Sequence, residues 1–172
     1  MRKAVFSLFA VCTIDGKIAK NSKHMTDWSS KEDKTFLHRH LDLCDVVIIG
    51  KNTFEVATGP LSKRNCIVFS SSAKGVEQKN PNLVFLNPQE EDLLKFLEKK
   101  NYSKVAVLGG TKCFSYFLEN NLVDKIYLTI EPLVFGGGLP LFEAKTDQKK
   151  FVLILVQKLN TLGTILLEYK AV

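Results

Sequence analysis

Residues 104–135 read KVAVLGGTKCFSYFLENNLVDKIYLTIEPLVF, and three patterns follow one another in them without a linker. KVAVL is a short apolar run ending at Gly109-Gly110, as a buried strand does when it stops at residues with wide backbone freedom. From Thr111 onward Phe114, Phe117 and Leu118 recur at helical spacing until Asn120-Asn121, which predicts a helix capped by Thr111. KIYLTIEPLVF then reads as a long strand. Strand, helix and strand in succession are the alternation of an α/β protein.

The flanking sequence continues it. AVFSLFAVCTI at residues 4–14 is a near-continuous apolar run, the sign of a strand covered on both faces. Ser29-Ser30-Lys31-Glu32 fits a capping box, with Ser29 as N-cap and Glu32 reaching back. The helix it opens would carry Phe36, Leu37, His40, Leu41 and Cys44 on one stripe. DVVIIG, NCIVFS and LVFL are further strands, and Pro88-Gln89-Glu90-Glu91 would start a second helix through Leu94 and Leu97. FVLILVQKL and TILLEYK pair across Asn160–Gly163. Eight strand-like runs, with helices between them and consecutive strands only at the end, predict a mostly parallel sheet with an antiparallel C-terminal hairpin. No repeat or linker divides residues 1–172, so they are read as a single domain.

Composition narrows the function classes. The net charge of +6 favours anionic partners, but the excess is scattered (Lys63-Arg64, Lys99-Lys100, Lys149-Lys150), with no basic run of the kind that binds nucleic acid. Cys12, Cys44, Cys66 and Cys113 lie far apart in apolar surroundings without a C-x-x-C, which reads as free thiols in a reducing compartment. Arg2-Lys3 before an apolar run is one part of a signal peptide, but no small-residue cleavage site follows. No run reaches the roughly 20 apolar residues of a membrane span. The expectation is a soluble, cytoplasmic protein. His38 and His40 point to different faces of a helix, so no metal site is expected from them.

In an open α/β sheet, ligands sit beyond the carboxyl ends of the strands. Three strand ends here are equipped for it: Gly50-Lys51-Asn52-Thr53, Ser70-Ser71-Ser72, and Gly109-Gly110-Thr111-Lys112. Glycine lets a phosphate approach the backbone, and free N–H groups at a helix start can hold it. Together they point to a dinucleotide, although there is no G-x-G-x-x-G. Asp33 heads the apolar stripe of the first helix. It either turns outward to complement the helix dipole or turns inward, where a carboxylate needs a partner; spacing alone leaves both readings standing.

TIDGKIA, SSKEDKTFLHRHLDLCDVVIIGKNTF and VLGGTKCFSYFLENNLVDKIYLTIEPLVFGGGLPLF resemble the dihydrofolate-reductase-like superfamily, most closely its riboflavin-biosynthesis reductase branch. The resemblance runs from about residue 5 to 142, and the hairpin fits by architecture. It implies an eight-stranded, mostly parallel sheet with helices on both faces and NADPH across the strand ends. As cofactor contacts it implies Ala10, Asp15, Gly16, Gly50, Lys51, Thr53, Gly109, Gly110, Lys112 and Cys113, with Ser70, Ser71 and Ser72 by the adenosine ribose and its 2′-phosphate. Ile14 to Trp28 is similar to the loop that covers the nicotinamide in these enzymes. Trp28, Leu37, Thr53 and Thr129 would meet the substrate, and Asp33 would be catalytic.

Two reactions compete within the resemblance. TIDGKIA, the SSKED helix start and GGGLPLF look like the reductase of riboflavin biosynthesis, which reduces the ribosyl carbon of a ribosylaminopyrimidine phosphate. Asp33 after Asp27-Trp28, Thr129 in IYLTI, and GKNTFEVATGPL look like dihydrofolate reductases. Ala57-Thr58-Gly59-Pro60 lacks the acidic residue usual in the riboflavin branch at that point. The motifs place the riboflavin-type reduction first and dihydrofolate reduction second, with a nucleotide-binding protein without catalysis as a third reading. Relatives of the riboflavin branch are often dimers, so a homodimer is the expected assembly.

Overall fold

Alternation along the central strands decides how the layers assemble. In Val46–Ile49 every residue is buried, with Val46 and Ile48 in one apolar cluster and Val47 and Ile49 in another. A strand buried on both faces needs helices on both sides. The computed structural model describes residues 4–172, apart from the side chains of Thr58 and Pro60; Arg2-Lys3 lies outside it.

In chain order the strands are β1 (Val5–Thr13), β2 (Lys17–Ala19), β3 (Val46–Gly50), β4 (Cys66–Phe69), β5 (Val76–Asn80), β6 (Leu83–Leu86), β7 (Lys104–Val107), β8 (Lys125–Glu131), β9 (Leu139–Pro140), β10 (Phe151–Lys158) and β11 (Ile165–Ala171). The helices are α1 (Lys31–Leu41), α2 (Lys51–Leu61), α3 (Leu93–Lys99) and α4 (Thr111–Glu119). The main sheet has nine strands in the order β10-β11-β8-β1-β7-β3-β4-β6-β5. From β8 to β6 all pairings are parallel, whereas β10, β11 and β5 join antiparallel. Phe114, Phe117, Leu93 and Leu97 of α4 and α3 fill one face, and Leu41 and Leu61 of α1 and α2 the other.

The fold class is as expected, but the details differ from the sequence reading. The sheet has a ninth strand, β5, whose residues VEQKN are mostly exposed and so show no apolar alternation. A fourth helix, α2, occupies Lys51–Leu61 despite Gly59-Pro60, and its backbone is kinked at Ala57. α1 is capped by Ser30, whose hydroxyl accepts from the Asp33 N–H, while Glu32 accepts from Asn160 instead of reaching back. α3 begins at Leu93, capped by Asp92, and buries Leu93 and Leu97 with Leu94 exposed. Glu90 upstream is used to accept from the Gly75 N–H. Gly110, not Thr111, caps α4, because the Thr111 hydroxyl donates to the Pro140 carbonyl. β8 stops at Glu131, before Pro132, a residue with no N–H to give a ladder.

Candidate functional site

Adjacent strands that send their chains in opposite directions open a crevice at the carboxyl edge of a sheet. Here those strands are β3 and β7. β3 leads through α2 to β4, while β7 leads through α4 to β8 on the far side of β1. The two helix N-termini therefore meet at the sheet edge, where the Gly50 N–H donates to the Gly109 carbonyl at 2.6 Å. α1 and α3 are capped by the side chains of Ser30 and Asp92, whereas α2 and α4 start at Gly50 and Gly110 with no side-chain cap. The first-turn N–H groups of α2 and α4 thus keep their capacity to bind an anion.

A cleft of about 970 Å³ runs along this edge. Gly50, Lys51, Thr53, Gly110, Lys112 and Cys113 line it near the two helix starts. Ser70, Ser71 and Ser72 line it beyond β4, with the hydroxyls of Ser70 and Ser72 2.9 Å apart. The glycines keep the corner open: a Cβ on Gly50 would stand 3.5 Å from both Gly109 O and Gly110 N, and one on Gly110 would stand 3.0 Å from the Thr53 hydroxyl. Burial pushes the Cys113 thiol up, so its sulfur stays protonated.

The other half of the cleft holds Ala10, Asp33, Leu37 and Thr129. Asp33 turns inward and is only 7% exposed. Val11 of β1 pairs with Thr129 of β8, which sets the threonine under the first turn of α1. Burial raises the Asp33 carboxyl above the ordinary aspartate range, the neighbouring hydroxyls of Thr129 and Ser29 pull it back, and the Glu131 charge raises it further. Such a group exchanges a proton closer to neutrality than a surface aspartate does.

Four residues expected at the site lie off the cleft wall. Asp15 accepts from the Phe135 and Gly136 N–H groups and from the Thr13 hydroxyl. Gly16, at φ +73°, closes the same turn by donating to the Thr13 carbonyl. Trp28 sits in a short 3-10 turn with its ring edge-on to Phe135 at 5.0 Å. Gly109 rests on the Phe114 ring, where a Cβ would approach to 2.7 Å. The first three shape the segment over the cleft, and Gly109 shapes the β7–α4 corner, rather than the cleft surface. That segment is not a plain loop, since β2 pairs with β9 and brings Ile18 and Ala19 onto the cleft wall beside Asn21, Ser22 and His24.

Sequence reading missed Ile18, His24 and Glu131. Glu131 is 4% exposed; its carboxylate accepts from the Ser30 N–H and from the Thr164 hydroxyl, both at 2.6 Å. The available signal was its place two residues beyond Thr129, hence on the same face of β8.

A mixed sheet of this order, two helices on each face and a cleft at its carboxyl edge make this a dihydrofolate-reductase-like fold. Within it the chain belongs to the RibD C-terminal domain family, whose model matches residues 5–165. It is 26% identical over 157 residues to the uncharacterized protein YwjB of Bacillus subtilis, across 87% of each chain. Among solved structures, RibD of Acinetobacter baumannii superposes with a TM-score of 0.81 at 17% identity, over 100% of this chain and 59% of that one. Dihydrofolate reductase from Enterococcus faecalis complexed with NADP(H) gives 0.67 at 18% identity, over 97% and 96% of the two chains.

Proposed function

We propose that the chain is an NADPH-dependent oxidoreductase that reduces a pyrimidine, the riboflavin-pathway ribosylaminopyrimidine phosphate. One observation carries the reading: two uncapped helix N-termini from neighbouring strands open into the same cleft as a buried, protonatable Asp33. The residues fit the cofactor. Gly50 and Gly110 leave the backbone of both helix starts open to a pyrophosphate, and Lys51, with Ser70 to Ser72, gives a cation and hydroxyls for a ribose 2′-phosphate. Bound there, NADPH supplies the hydride. Ile18 and Ala19, held by the β2–β9 pair, cover the reacting region and exclude water. Asp33 orients a donor edge of the substrate ring and carries the proton that accompanies reduction.

Dihydrofolate is the second reading, favoured by the inward Asp33 beside Thr129 and by the missing acidic residue in Ala57–Pro60. The test is NADPH oxidation with the ribosylaminopyrimidine phosphate and with dihydrofolate in parallel. Turnover of the first supports the proposal, and turnover of dihydrofolate alone replaces it by the second reading. Binding of NADPH with neither substrate turned over leaves a nucleotide-binding protein.

The assembly we propose is a homodimer through β10, a strand at the sheet edge. Val152, Leu153, Ile154, Leu155 and Val156 are each at least 40% exposed, so about 17 Å of edge strand carries uncovered apolar side chains, a surface of a kind that monomers rarely leave open. A two-fold axis at Ile154 would set Val152 against Val156 and Leu153 against Leu155, a self-complementary contact of the isologous kind. The pairing irregularity between Leu153 and Leu155 disfavours a simple extension of the ladder, so the contact is made by side chains.

A further inference from the structure

Asp33 is not the only buried carboxylate at the head of α1. Glu131 stands on the same face of β8 as Thr129, whose hydroxyl favours the charged form of Asp33. The two acids bracket one turn of backbone: the Ser30 N–H donates to Glu131, and the Asp33 N–H donates to the Ser30 hydroxyl. The second Glu131 oxygen accepts from Thr164, which also accepts from the Asn160 amide. Asn160 closes the circuit by donating to Glu32 on α1. A helix start, a central strand and the C-terminal turn are thus tied through one carboxylate.

We infer that Glu131 is a positioning residue for Asp33: it ties the first turn of α1 to β8 through the Ser30 N–H and sets a second buried carboxylate beside the first. This deepens the reductase reading, in which Asp33 handles the proton. Three elements contribute titratable groups that share the cleft with Asp33 or act on it. α1 contributes Lys34 and His38, the segment over the cleft contributes His24, and β8 contributes Tyr127 and Glu131. Lys34 favours the charged carboxylate and Glu131 opposes it. Glu131 is bonded by an N–H and a hydroxyl, with no salt bridge to it among the described residues, so its field is not cancelled by a partner cation.

The test separates charge from scaffolding. Asp33 is titrated by carboxyl-carbon NMR in the unaltered protein, in Glu131→Gln and in Thr164→Val. Glu131→Gln removes the charge and keeps an acceptor for Ser30; Thr164→Val removes the hydroxyl bond and keeps the charge. The expected result is a lower Asp33 midpoint in Glu131→Gln and an unmoved one in Thr164→Val, with the pH profile of turnover following the same order. An unmoved midpoint in Glu131→Gln, or an equal shift in both variants, overturns the inference. If Glu131→Gln does not fold, Glu131→Met, which fills similar space without charge, takes its place: the Asp33 midpoint is again expected to fall, and an unmoved one overturns the inference. The NMR readout needs no substrate, so it stands or falls separately from the reductase reading, which the turnover assay judges.

Discussion

Replacing Asp33 by asparagine should stabilise the protein at neutral pH while abolishing its turnover. Burial raises the Asp33 carboxyl above the ordinary 3.8, so between 3.8 and its folded value the native state holds more proton than the unfolded chain. By linkage that stability is fully present below 3.8 and is lost as pH rises through the folded value. The asparagine amide carries no charge and does not share the loss. The advantage of the variant therefore grows by about 1.4 kcal/mol per pH unit inside that window and is flat on either side. For a chain of this size, at 2–4 °C per kcal/mol, that is roughly 3–6 °C of relative Tm per pH unit. The asparagine oxygen keeps an acceptor for the Thr129 hydroxyl, and the Ser29 hydroxyl has the Thr26 carbonyl to donate to, so the weakened contact costs at most about 1 kcal/mol. That offset is the same at every pH, so the slope is the diagnostic. The assay is a set of thermal melts of both proteins from acid to neutral pH, paired with NADPH oxidation. A Tm difference independent of pH, or undiminished turnover by the Asp33→Asn variant, would refute the reasoning.

Lys51→Ala should weaken NADPH by roughly 10-fold, the cost of about 1.5 kcal/mol for a lost charged hydrogen bond, and leave NADH binding within about twofold; titration of both cofactors checks it. Asp45 accepts from the Ser103 N–H and hydroxyl and from the Lys104 N–H. Burial works against that carboxyl, but those bonds hold it below the ordinary range, so Asp45→Ala should cost about 2 kcal/mol at neutral pH. The sign is opposite to Asp33: the contribution is present above 3.8 and fades as pH falls through the lowered value, which melts at pH 7 and pH 3 compare. Ile154→Lys should convert a dimer at about 10 μM to a monomer by light scattering, since a charge at the axis faces its own copy; an unaltered protein that is already monomeric there refutes the β10 interface.

Local pattern made part of this protein legible. The apolar runs of β1, β3 and β7 are nearly continuous, which marks strands covered on both faces, and the stripe of α1 repeats near every four residues, which marks the side that is buried. The glycine-tipped strand ends were readable too, because backbone freedom is a property of the residue itself. β5 and α2 escaped, the one because its exposed VEQKN has no face to bury and the other because Gly59-Pro60 imitates a stop. Asp15 and Trp28 looked like cleft residues until the chain from Phe135 to Gly136 came back to occupy them.

The direction of Asp33 shows the division most plainly. The sequence placed it at the head of an apolar stripe, and nothing within a few residues could say whether it turned in or out. Its setting depends on Thr129 and Glu131, and the Ser30 N–H that meets Glu131 lies 101 positions away along the chain. Hydrophobic periodicity is a short-range code set by helix and strand geometry, whereas a carboxyl's proton affinity follows from whatever the folded chain carries into its surroundings.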